Sequence, residues 1–566
     1  MISVSGKNWE EIKLHKRLID KIKYDYNFSD IVSKLIFSRN FADEEIYSVK
    51  NLVQIKNPIM KNNDFLLTCK ILKKNIDQHN DILVIGDYDV DGCVSASLIV
   101  DFLNKNKAKS VFYIPDRIKD GYGASKKLIT KLINKNKPRL VIFLDCGSSA
   151  NEAVDYLNKI NIDSIIIDHH NIGKPYPKSS SLINPKKECN YQNLNYLCTA
   201  YLTYLFLDLY IKLNKLNISI KDNLIYVVLA TVADVMPLRK INRYLSHNVL
   251  SKYDVNKNFI ISNIFKLKNL KKKIDINDLG YLIAPIINSA GRLDNAEQIV
   301  NLLTTTNESI KLKIIKKIYN LNQKRKVIEQ QYFEKINLDN LSKKSGIIFF
   351  YDPNIPEGII GILASKLKDY FNKPCVVLTS SGNLIKGSAR STSSFNIGEH
   401  ITNAIKKKIL IGGGGHNLAA GLLISKKNLV LFKNFLNSIY KKKNLYEVNK
   451  FISKISLSSI NKKFLQDLNL IAPFGNQNSN PLFYIENVRI LKPLVYNDKF
   501  ISCFVKSNNK MIKSISFNPI GSKISFYLLN FKKNINLITR VVENIWNNKS
   551  SIQLEIIDLI ENSNNT

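Results

Sequence analysis

Three short apolar segments in the first third of this chain each end in aspartate, and this repeated pattern strongly constrains the fold. The segments and the residues that follow them are 82–85 with Gly86-Asp87-Tyr88-Asp89-Val90-Asp91-Gly92, 140–144 with Asp145, and 164–167 with Asp168-His169-His170. Short apolar runs are typical of strands buried on both faces. Amphipathic helical patterns separate them between about residues 65 and 170. Strand–helix alternation of this kind predicts an α/β fold with a parallel, doubly wound sheet.

The carboxyl ends of these strands are expected to bring acidic and imidazole side chains together. Open α/β sheets bind ligands in the crevice beyond that edge. Asp234 adds a further carboxylate within an otherwise apolar helical segment, where a buried charge needs a partner. Carboxylates packed this closely repel each other unless a cation neutralises them. For the Asp87–Asp91 segment alone, a solvated acidic turn is the alternative.

Four aspartates and two histidines supply enough ligands for two divalent ions. The predicted metal ligands and catalytic residues are Asp87, Asp89, Asp145, His169, His170 and Asp234. Oxygen-rich sites suit Mg²⁺, and the imidazoles make Mn²⁺ a second candidate. Two such ions stabilise both the attacking and the leaving oxygen of an in-line phosphoryl displacement. Asp91 and Asp168 are predicted to orient the ligands rather than to bind the metal.

A second, smaller α/β unit is predicted between about residues 345 and 440, after a long connecting helix at 309–338. Arg292 and Arg390 are notable because arginine is scarce here and binds phosphate through two hydrogen bonds. A surface ion pair is the alternative for each. The glycine run 412–415 lets backbone N–H groups approach an anion, and His416 adds a donor. A structural turn is the alternative for the glycines.

Beyond about residue 455, short segments of alternating polarity predict a small β-barrel. The length of 566 residues is too great for a single core. The predicted domains are a helical region at 1–60, a catalytic domain at 61–275, a connecting helical segment at 276–340, a second α/β domain at 341–445 and a β-barrel domain at 446–566.

The formal net charge of +36 favours a polyanionic partner such as nucleic acid. Lysine vastly outnumbers arginine, and asparagine and isoleucine are abundant, so a drift toward A·T-rich codons is an alternative source of the charge. The seven cysteines show no paired spacing, which argues against a disulfide framework and a zinc site. No signal core or bilayer-spanning segment is evident. We expect a cytoplasmic protein with no membrane partner.

Ordered motifs along the chain resemble those of the DHH phosphoesterase superfamily, and within it the bacterial exonucleases specific for single-stranded DNA. The matching pieces are Gly86-Asp-Tyr-Asp-Val-Asp-Gly92, Leu144-Asp-Cys-Gly147, Asp168-His-His170, Thr231-Val-Ala-Asp-Val-Met-Pro-Leu238, Asn288-Ser-Ala-Gly-Arg-Leu293, Gly387-Ser-Ala-Arg-Ser391, Gly413-Gly-Gly-His416 with Ala419-Ala-Gly421, and Ala472-Pro-Phe-Gly-Asn476 with Asn480-Pro-Leu-Phe483. The resemblance runs from about residue 60 to the end. It departs from the family pattern at Thr199, Tyr201 and Ile355-Pro356.

The resemblance implies a DHH catalytic domain, a DHHA1-type second domain and an oligonucleotide-binding (OB-like) barrel. It also implies a 5′-to-3′ exonuclease that uses Mg²⁺ or Mn²⁺ and releases mononucleotides from single-stranded DNA during recombination and repair. The implied substrate-binding residues are Asn288, Arg292, Arg390, Ser391, Gly414, Gly415 and His416. We expect a monomer that works with single-strand-binding protein and a helicase.

Two other functions fit the same fold. One is a DHH phosphodiesterase that acts on short oligonucleotides, but such enzymes are compact, and a barrel with a basic surface favours a polymer substrate. The other is a non-catalytic scaffold for DNA repair. A scaffold would be expected to lose metal ligands, and this chain retains all of those predicted.

Overall fold

The N-terminal region of this computed structural model combines one strand with three helices. The structure describes all residues except 52, 54–55, 118, 122, 188–191, 343–345, 443–447, 547–548 and 563–566. The N-terminal elements are β1 (Asn8–Glu11), α1 (Lys16–Tyr26), α2 (Asp30–Ser38) and α3 (Asp43–Tyr47). The helices agree with the sequence-based prediction for this region, whereas β1 was not anticipated.

The first α/β domain is built on five parallel strands. Its elements are α4 (Asn63–Asp77), β2 (Ile82–Gly86), α5 (Val90–Lys105), β3 (Ser110–Tyr113), α6 (Lys126–Asn136), β4 (Leu140–Leu144), α7 (Asn151–Lys159), β5 (Asp163–Ile167), β6 (Ser181–Ile183), α8 (Thr199–Leu213), α9 (Leu224–Ala233), α10 (Lys240–Ser251) and α11 (Phe259–Leu267). The strand order is β3-β2-β4-β5-β6. The predicted doubly wound parallel sheet is therefore confirmed, with β6 as an additional edge strand.

Alternate residues of each central strand enter two different cores, which explains why these strands are apolar throughout. Val84 and Ile142 pack on one face of the sheet with α5 and α8. Ile85 and Phe143 pack on the other face with α6 and α7. Complete burial of such a side chain contributes about 1.5–3 kcal/mol. The two cores fix the carboxyl ends of the strands at one edge of the sheet.

Helices connect this domain to a second, mixed sheet. The connecting elements are a π-helix (Asp278–Ile283), α12 (Ala284–Leu293), α13 (Glu297–Thr304), the long α14 (Glu308–Glu334) and α15 (Leu338–Ser342). The second domain contains β7 (Ile348–Tyr351), α16 (Glu357–Phe371), β8 (Cys375–Ser381), β9 (Leu384–Arg390), α17 (Ile397–Lys406), β10 (Gly412–His416), β11 (Ala419–Ser425) and α18 (Leu429–Lys442). Its strand order is β10-β11-β9-β8-β7. The predicted connecting helix and second α/β domain are confirmed.

A closed five-stranded barrel forms the last domain, as the sequence predicted. Its elements are β12 (Val448–Phe451), β13 (Ser453–Lys454), α19 (Lys462–Ile471), β14 (Phe483–Tyr496), β15 (Phe500–Ser507), β16 (Lys510–Ser516), α20 (Lys523–Asn530), β17 (Ile535–Trp546) and β18 (Lys549–Ile560). The order β14-β15-β16-β18-β17 is closed by pairing of β17 with β14.

The N-terminal region and the barrel form one packed unit. Strand β1 pairs in parallel with β12, and apolar residues of α2 such as Val32 and Leu35 share a core with Leu468 and Val488. The Glu45 carboxylate joins this unit to the first domain through an ion pair with Arg239 at 2.7 Å. The domain boundaries drawn from the sequence stay predictions.

Two further sequence-based expectations concern membranes and cysteines. Over the described ranges, none of the helices is long and apolar enough to cross a bilayer. The six cysteines that the structure describes are free and buried. Cys189 lies outside the described residues.

Candidate metal centre

The first two predicted ligands lie where β2 passes into α5. The Asp89 side chain caps this helix by accepting a hydrogen bond from the Gly92 amide at 3.1 Å. The first turn of α5 lies so close to the Asp87 backbone that a Cβ on Gly92 would overlap it. Glycine is therefore required at this position, because it alone permits the close approach. The turn brings both carboxylates to the edge of the sheet.

Asp145, at the end of β4, occupies the middle of the site. Its Oδ1 accepts a hydrogen bond from the Thr199 hydroxyl at 2.9 Å. The same oxygen lies 3.4 Å from Nε2 of His169 and 3.7 Å from Nδ1 of His170. Single ligand atoms of Asp145, His169 and His170 lie within 4.8 Å of one another, and so do those of Asp87, Asp89 and Asp145. Asp145 thus belongs to two candidate ligand groups.

Asp168, at the end of β5, orients the two histidines. Its Oδ1 accepts hydrogen bonds from the backbone amides of His169 at 2.8 Å and His170 at 3.1 Å. The same oxygen lies 2.8 Å from Nδ1 of His170. Its Oδ2 accepts from the Ser148 amide at 3.0 Å. These bonds fix the His170 ring, which is the orienting role that we predicted for Asp168, and they support that prediction without testing it.

His169 fits a metal ligand better than a satisfied core residue. Its side chain is 7% exposed, and neither ring nitrogen forms a hydrogen bond among the described residues. Nε2 lies 3.3 Å from Oδ2 of Asp234. A buried imidazole without a hydrogen-bond partner is costly, so a cation shared with carboxylate oxygens would stabilise it. Together these nitrogen and oxygen donors match the preferences of Mn²⁺ and Mg²⁺.

Asp91 is buried beside this group but is already occupied by backbone donors. Its two oxygens accept hydrogen bonds from the amides of Thr199 and Ala200, both at 2.8 Å. The carboxylate therefore holds the N-terminus of α8, and with it the Thr199 hydroxyl, against the site. Its Oδ2 is 3.8 Å from Nε2 of His169. This arrangement supports the predicted orienting role, which stays a prediction.

The cluster of carboxylates is strained electrostatically without a counter-charge. Burial, followed by repulsion from Asp89, raises the pKa of Asp145 to about 7. Burial, followed by repulsion from neighbouring carboxylates, also raises the pKa values of Asp87 and Asp234. Burial opposes protonation of His170, yet its hydrogen bond with Asp168 raises the pKa of the ring to about 11. The site is thus arranged to receive positive charge.

Metal affinity is expected to rise between about pH 6 and pH 8, because cations must displace protons from carboxyl groups with raised pKa values. Asp145, with its pKa raised to about 7 by burial and by Asp89, is half protonated near neutrality. If one proton is released, the affinity for Mn²⁺ approaches a tenfold gain per pH unit below that pKa. Calorimetric titration in buffers of different ionisation enthalpy measures both the Mn²⁺ affinity and the number of protons released on binding.

The metal-free protein supplies a control for this prediction. A carboxyl group whose pKa is raised on folding binds protons more tightly in the folded state than in the unfolded chain. The stability of the metal-free protein should therefore fall as pH rises from about 4 to about 7, the interval between the two pKa values of Asp145. Constant Mn²⁺ affinity with no proton release would contradict the assignment of these carboxylates as ligands.

Four arginines from both α/β domains and the connecting helices form a basic cluster beside the metal centre. The arginine cluster comprises Arg117, Arg292, Arg325 and Arg390. Burial, followed by the charges of the other three, lowers the pKa of Arg292 to about 10. The Arg117 guanidinium lies 4.6 Å from the ring centroid of Tyr88, between Asp87 and Asp89 in the chain.

The cluster is suited to bind anions. Over the described ranges, only Arg325 of the four forms an ion pair with a carboxylate, that of Glu329. Arg292 and Asn288 line a cavity of about 670 Å³ between the two α/β domains and the loop that enters the barrel. Close packing of α12 against the Tyr88 carbonyl, which only glycine at position 291 permits, places Arg292 there. Partly desolvated guanidinium groups that repel each other are stabilised by phosphate.

The remaining predicted substrate-binding residues differ in their placement. Ser391 is buried and its hydroxyl donates to the Phe395 carbonyl at 2.6 Å, within the second domain. Gly414 and Gly415 belong to the exposed edge strand β10 rather than to a turn, because the run pairs with β11. Desolvation, followed by the charges of Lys186, His170 and His169, lowers the pKa of His416, which places this residue close to the metal centre. The substrate-binding roles stay predictions.

Three residues of the site were missed by the sequence analysis. Arg117 follows the carboxyl end of β3, and Lys186 follows that of β6. Burial lowers the pKa of Lys186, opposed by the charges of Asp234 and Asp168. Thr199 was noted only as a departure from the family pattern, yet its hydroxyl donates to Asp145. Open α/β sheets bind ligands beyond the carboxyl ends of their strands, and this rule, which identified the aspartates, would also have indicated Arg117.

Comparison with known proteins agrees with the three domains. Three protein-family models match, in order along the chain: "DHH family, N-terminal domain" at residues 81–232, "DHHA1 domain" at 344–442 and "RecJ OB domain" at 453–558. The single-stranded-DNA-specific exonuclease RecJ of Bacillus subtilis is 26% identical over 86% of this chain and 62% of its own length. RecJ of Escherichia coli is 29% identical over 75% of this chain and 77% of its own length.

Solved structures agree with the fold. A crystal structure of RecJ from Thermus thermophilus in complex with Mn²⁺ matches with a TM-score of 0.83 and 19% identity, covering 98% of this chain and 80% of that one. The structure of the same protein with Mg²⁺ matches with a TM-score of 0.74 and 18% identity, covering 98% of this chain and 79% of that one. The chain spans less than two thirds of the B. subtilis relative. Its first α/β domain matches the DHH family, and the DHHA1 and RecJ OB domains follow it in the same chain.

Proposed function

We propose that the protein is a metal-dependent exonuclease that degrades single-stranded DNA from the 5′ end and releases mononucleotides. The observation that carries this proposal is that the six predicted metal ligands, together with Asp91, lie beside an arginine cluster. The curated relatives with the same domains are named as single-stranded-DNA-specific exonucleases. The proposed roles in DNA recombination and repair rest on the family resemblance. The 5′-to-3′ direction rests on the family resemblance.

Six side chains are assigned to hold two divalent cations, Mg²⁺ or Mn²⁺. They are Asp87, Asp89, Asp145, His169, His170 and Asp234. When bound, the cations neutralise charge that develops on the phosphoryl group and lower the pKa of water. Asp168 holds the His170 ring through Nδ1, and Asp91 holds the N-terminus of α8. Preorganisation by these buried bonds spares the ligands from reorienting when substrate arrives.

The arginine cluster is assigned to the phosphates of the DNA strand. Arg292 is held in place by the bond that its Nη1 donates to the Gly358 carbonyl at 2.8 Å, and Arg390 by bonds to Ser388 Oγ and the Ala389 carbonyl, both at 2.9 Å. Rigid guanidinium groups of this kind orient phosphate better than lysine does. The barrel and the basic surface would extend contacts along a strand. A polymer substrate is therefore favoured over a dinucleotide.

The finer expectations about partners and location stay predictions. We propose that the protein acts as a monomer in the cytoplasm, together with single-strand-binding protein and a helicase. These expectations rest on the resemblance to bacterial exonucleases and on the sequence features described above. Size measurement in solution tests the monomer directly.

Digestion of end-labelled single-stranded DNA tests the proposed function. With Mn²⁺ or Mg²⁺ present, we expect a 5′-labelled strand to lose its label at once as a mononucleotide. A 3′-labelled strand should instead shorten progressively. Substrates with and without a 5′-phosphate show whether the arginine cluster recognises the terminal phosphate. Excess chelator should abolish cleavage, because without divalent cations nothing in the ligand cluster would neutralise the phosphoryl charge or lower the pKa of water.

Duplex DNA and a dinucleotide serve as the matched control substrates. Rapid hydrolysis of the dinucleotide alone would favour the phosphodiesterase of short oligonucleotides. Binding of single-stranded DNA without any metal-dependent cleavage would favour the scaffold. Early release of label from the 3′ end would refute the proposed direction.

A further inference from the structure

The segment after Asp234 has an unusual backbone conformation. Helix α9 ends at Ala233, and the next amides complete a Schellman motif, with Val235 N–H donating to the Val232 carbonyl at 3.1 Å and Met236 N–H to the Thr231 carbonyl at 3.0 Å. Val235 has a φ of +54° and its side chain is largely exposed. This left-handed position normally holds glycine, and a β-branched residue is strained there.

A turn at the entrance to the barrel contacts this strained segment at two points. The Asn476 side-chain amide donates to the Val235 carbonyl at 2.6 Å. The Asn476 carbonyl accepts a hydrogen bond from the Leu238 amide at 2.9 Å. The turn lies directly on the segment, since a Cβ on Gly475 would come within 2.6 Å of Cδ1 of Leu238. The two bonds therefore bracket Val235, Met236 and Pro237.

The turn itself is held firmly by a buried asparagine. Gly475 and Asn478 exchange backbone hydrogen bonds at 3.0 and 3.1 Å. The Asn478 side chain donates to the carbonyls of Ile471 and Pro473 at 3.0 and 2.8 Å. It also accepts a bond from Arg39 at 2.6 Å. A turn fixed on its own domain in this way can impose a conformation on the segment that it contacts.

We propose that Asn476 is a positioning residue for the metal centre, because it holds the strained Val235 and thereby fixes the carboxylate of Asp234. Asp234 is the C-cap of α9 and directly precedes Val235. A change of the Val235 backbone out of the left-handed region would redirect the chain at Asp234. The Asp234 carboxylate would then lose its placement 3.3 Å from Nε2 of His169. The inference rests on the proposed function, in which Asp234 binds metal.

This contact gives the barrel a second role beside any contact with DNA. Through Val235, Asp234 is held by Asn476, a side chain of the barrel unit. The other five proposed ligands follow the carboxyl ends of strands β2, β4 and β5 of the first domain. Displacement of the barrel would therefore weaken metal binding through one ligand. The strain explains why such an external bond is needed, since glycine at position 235 would adopt the left-handed conformation without it.

Titration of the metal-free full-length protein with Mn²⁺, followed by electron paramagnetic resonance, tests the proposal without reference to DNA cleavage. Asn476→Ala is expected to weaken Mn²⁺ affinity by roughly tenfold, as loss of a ligand-orienting contact commonly does. Val235→Gly alone should bind Mn²⁺ about as tightly as the native protein. The double variant Asn476→Ala with Val235→Gly should recover most of the lost affinity, because glycine removes the strain.

Asn530→Ala is the matched control, since this exposed barrel asparagine donates, among the residues that the structure describes, only to the Phe526 carbonyl within its own helix. It should leave Mn²⁺ affinity unchanged. Gly475→Ala, which would push the turn away from Leu238, provides a second variant and should weaken affinity in the same direction. Circular dichroism confirms that each variant is folded.

The outcomes separate this inference from the proposed function. Native Mn²⁺ affinity in Asn476→Ala would overturn the positioning role while the proposed function stands. Failure of Val235→Gly to restore affinity in the double variant would overturn the strain argument. Absence of Mn²⁺ binding by the native protein would refute the metal centre and this inference together.

Discussion

Replacing Asp145 with asparagine is expected to lower kcat on single-stranded DNA by at least about 10³-fold, equivalent to roughly 4 kcal/mol of transition-state stabilisation. Asp145 is the one carboxylate shared between two of the ligand groups, so its neutralisation affects both cation positions. The amide keeps the shape of the side chain and can still accept the Thr199 hydrogen bond. Single-turnover cleavage with saturating Mn²⁺ measures the loss, and binding of DNA in low salt should persist.

The same substitution should stabilise the metal-free protein although it lowers kcat. Burial and repulsion from Asp89 raise the pKa of Asp145, so its charge destabilises the metal-free protein near pH 8. Asp145→Asn should therefore raise the unfolding temperature of that form. Asp155→Asn, on the exposed side of α7, is the matched control and should alter neither activity nor stability. Full turnover by Asp145→Asn would exclude this carboxylate from the mechanism.

Replacing Arg390 with alanine is expected to lower kcat/KM for single-stranded DNA by about 10- to 100-fold, the range that follows from a charge-assisted hydrogen bond of 1.5–3 kcal/mol. Burial and the charge of Arg117 lower the pKa of Arg390, which shows that its positive charge is poorly solvated in the free protein. A DNA phosphate would supply the missing counter-charge. Steady-state kinetics over a range of substrate concentrations measures the effect.

Arg139→Ala is the matched control for this arginine. Arg139 is exposed and directly precedes β4, so it lies at the edge of the sheet opposite the metal centre. Its loss should change kcat/KM very little. Arg390→Lys keeps the positive charge but loses the planar guanidinium group that can donate two parallel hydrogen bonds to a phosphate. This variant should therefore recover only part of the activity. Equal activity of Arg390→Ala and the native protein would remove Arg390 from the substrate site.

The central strands β2, β4 and β5 of the first domain could be predicted because both of their faces are buried. That environment selects continuous apolar runs such as those of β2 and β4, which are visible in the sequence alone. The edge strand β6, with three residues, is too short to produce such a run. Without β6, the position of Lys186 at a strand end could not be recognised.

Residues whose conformation depends on distant partners were harder to predict. Strand β1 is fixed by its pairing with β12, which lies more than 400 residues away in the chain. The glycine run of β10 has low strand propensity and is extended because β11 and α17 fix it. Thr199 gained its role from the approach of α8 to β4, which Asp91 secures. Contacts of this kind join elements that no local pattern connects.

The pairing of β1 with β12 has a consequence for how the chain matures on the ribosome. During translation at roughly 5–20 residues per second, the amino-terminal strand emerges on the order of half a minute or more before its partner is made. Until then the apolar side of α2 has no barrel to cover it. Completion of this unit must therefore await synthesis of nearly the whole chain.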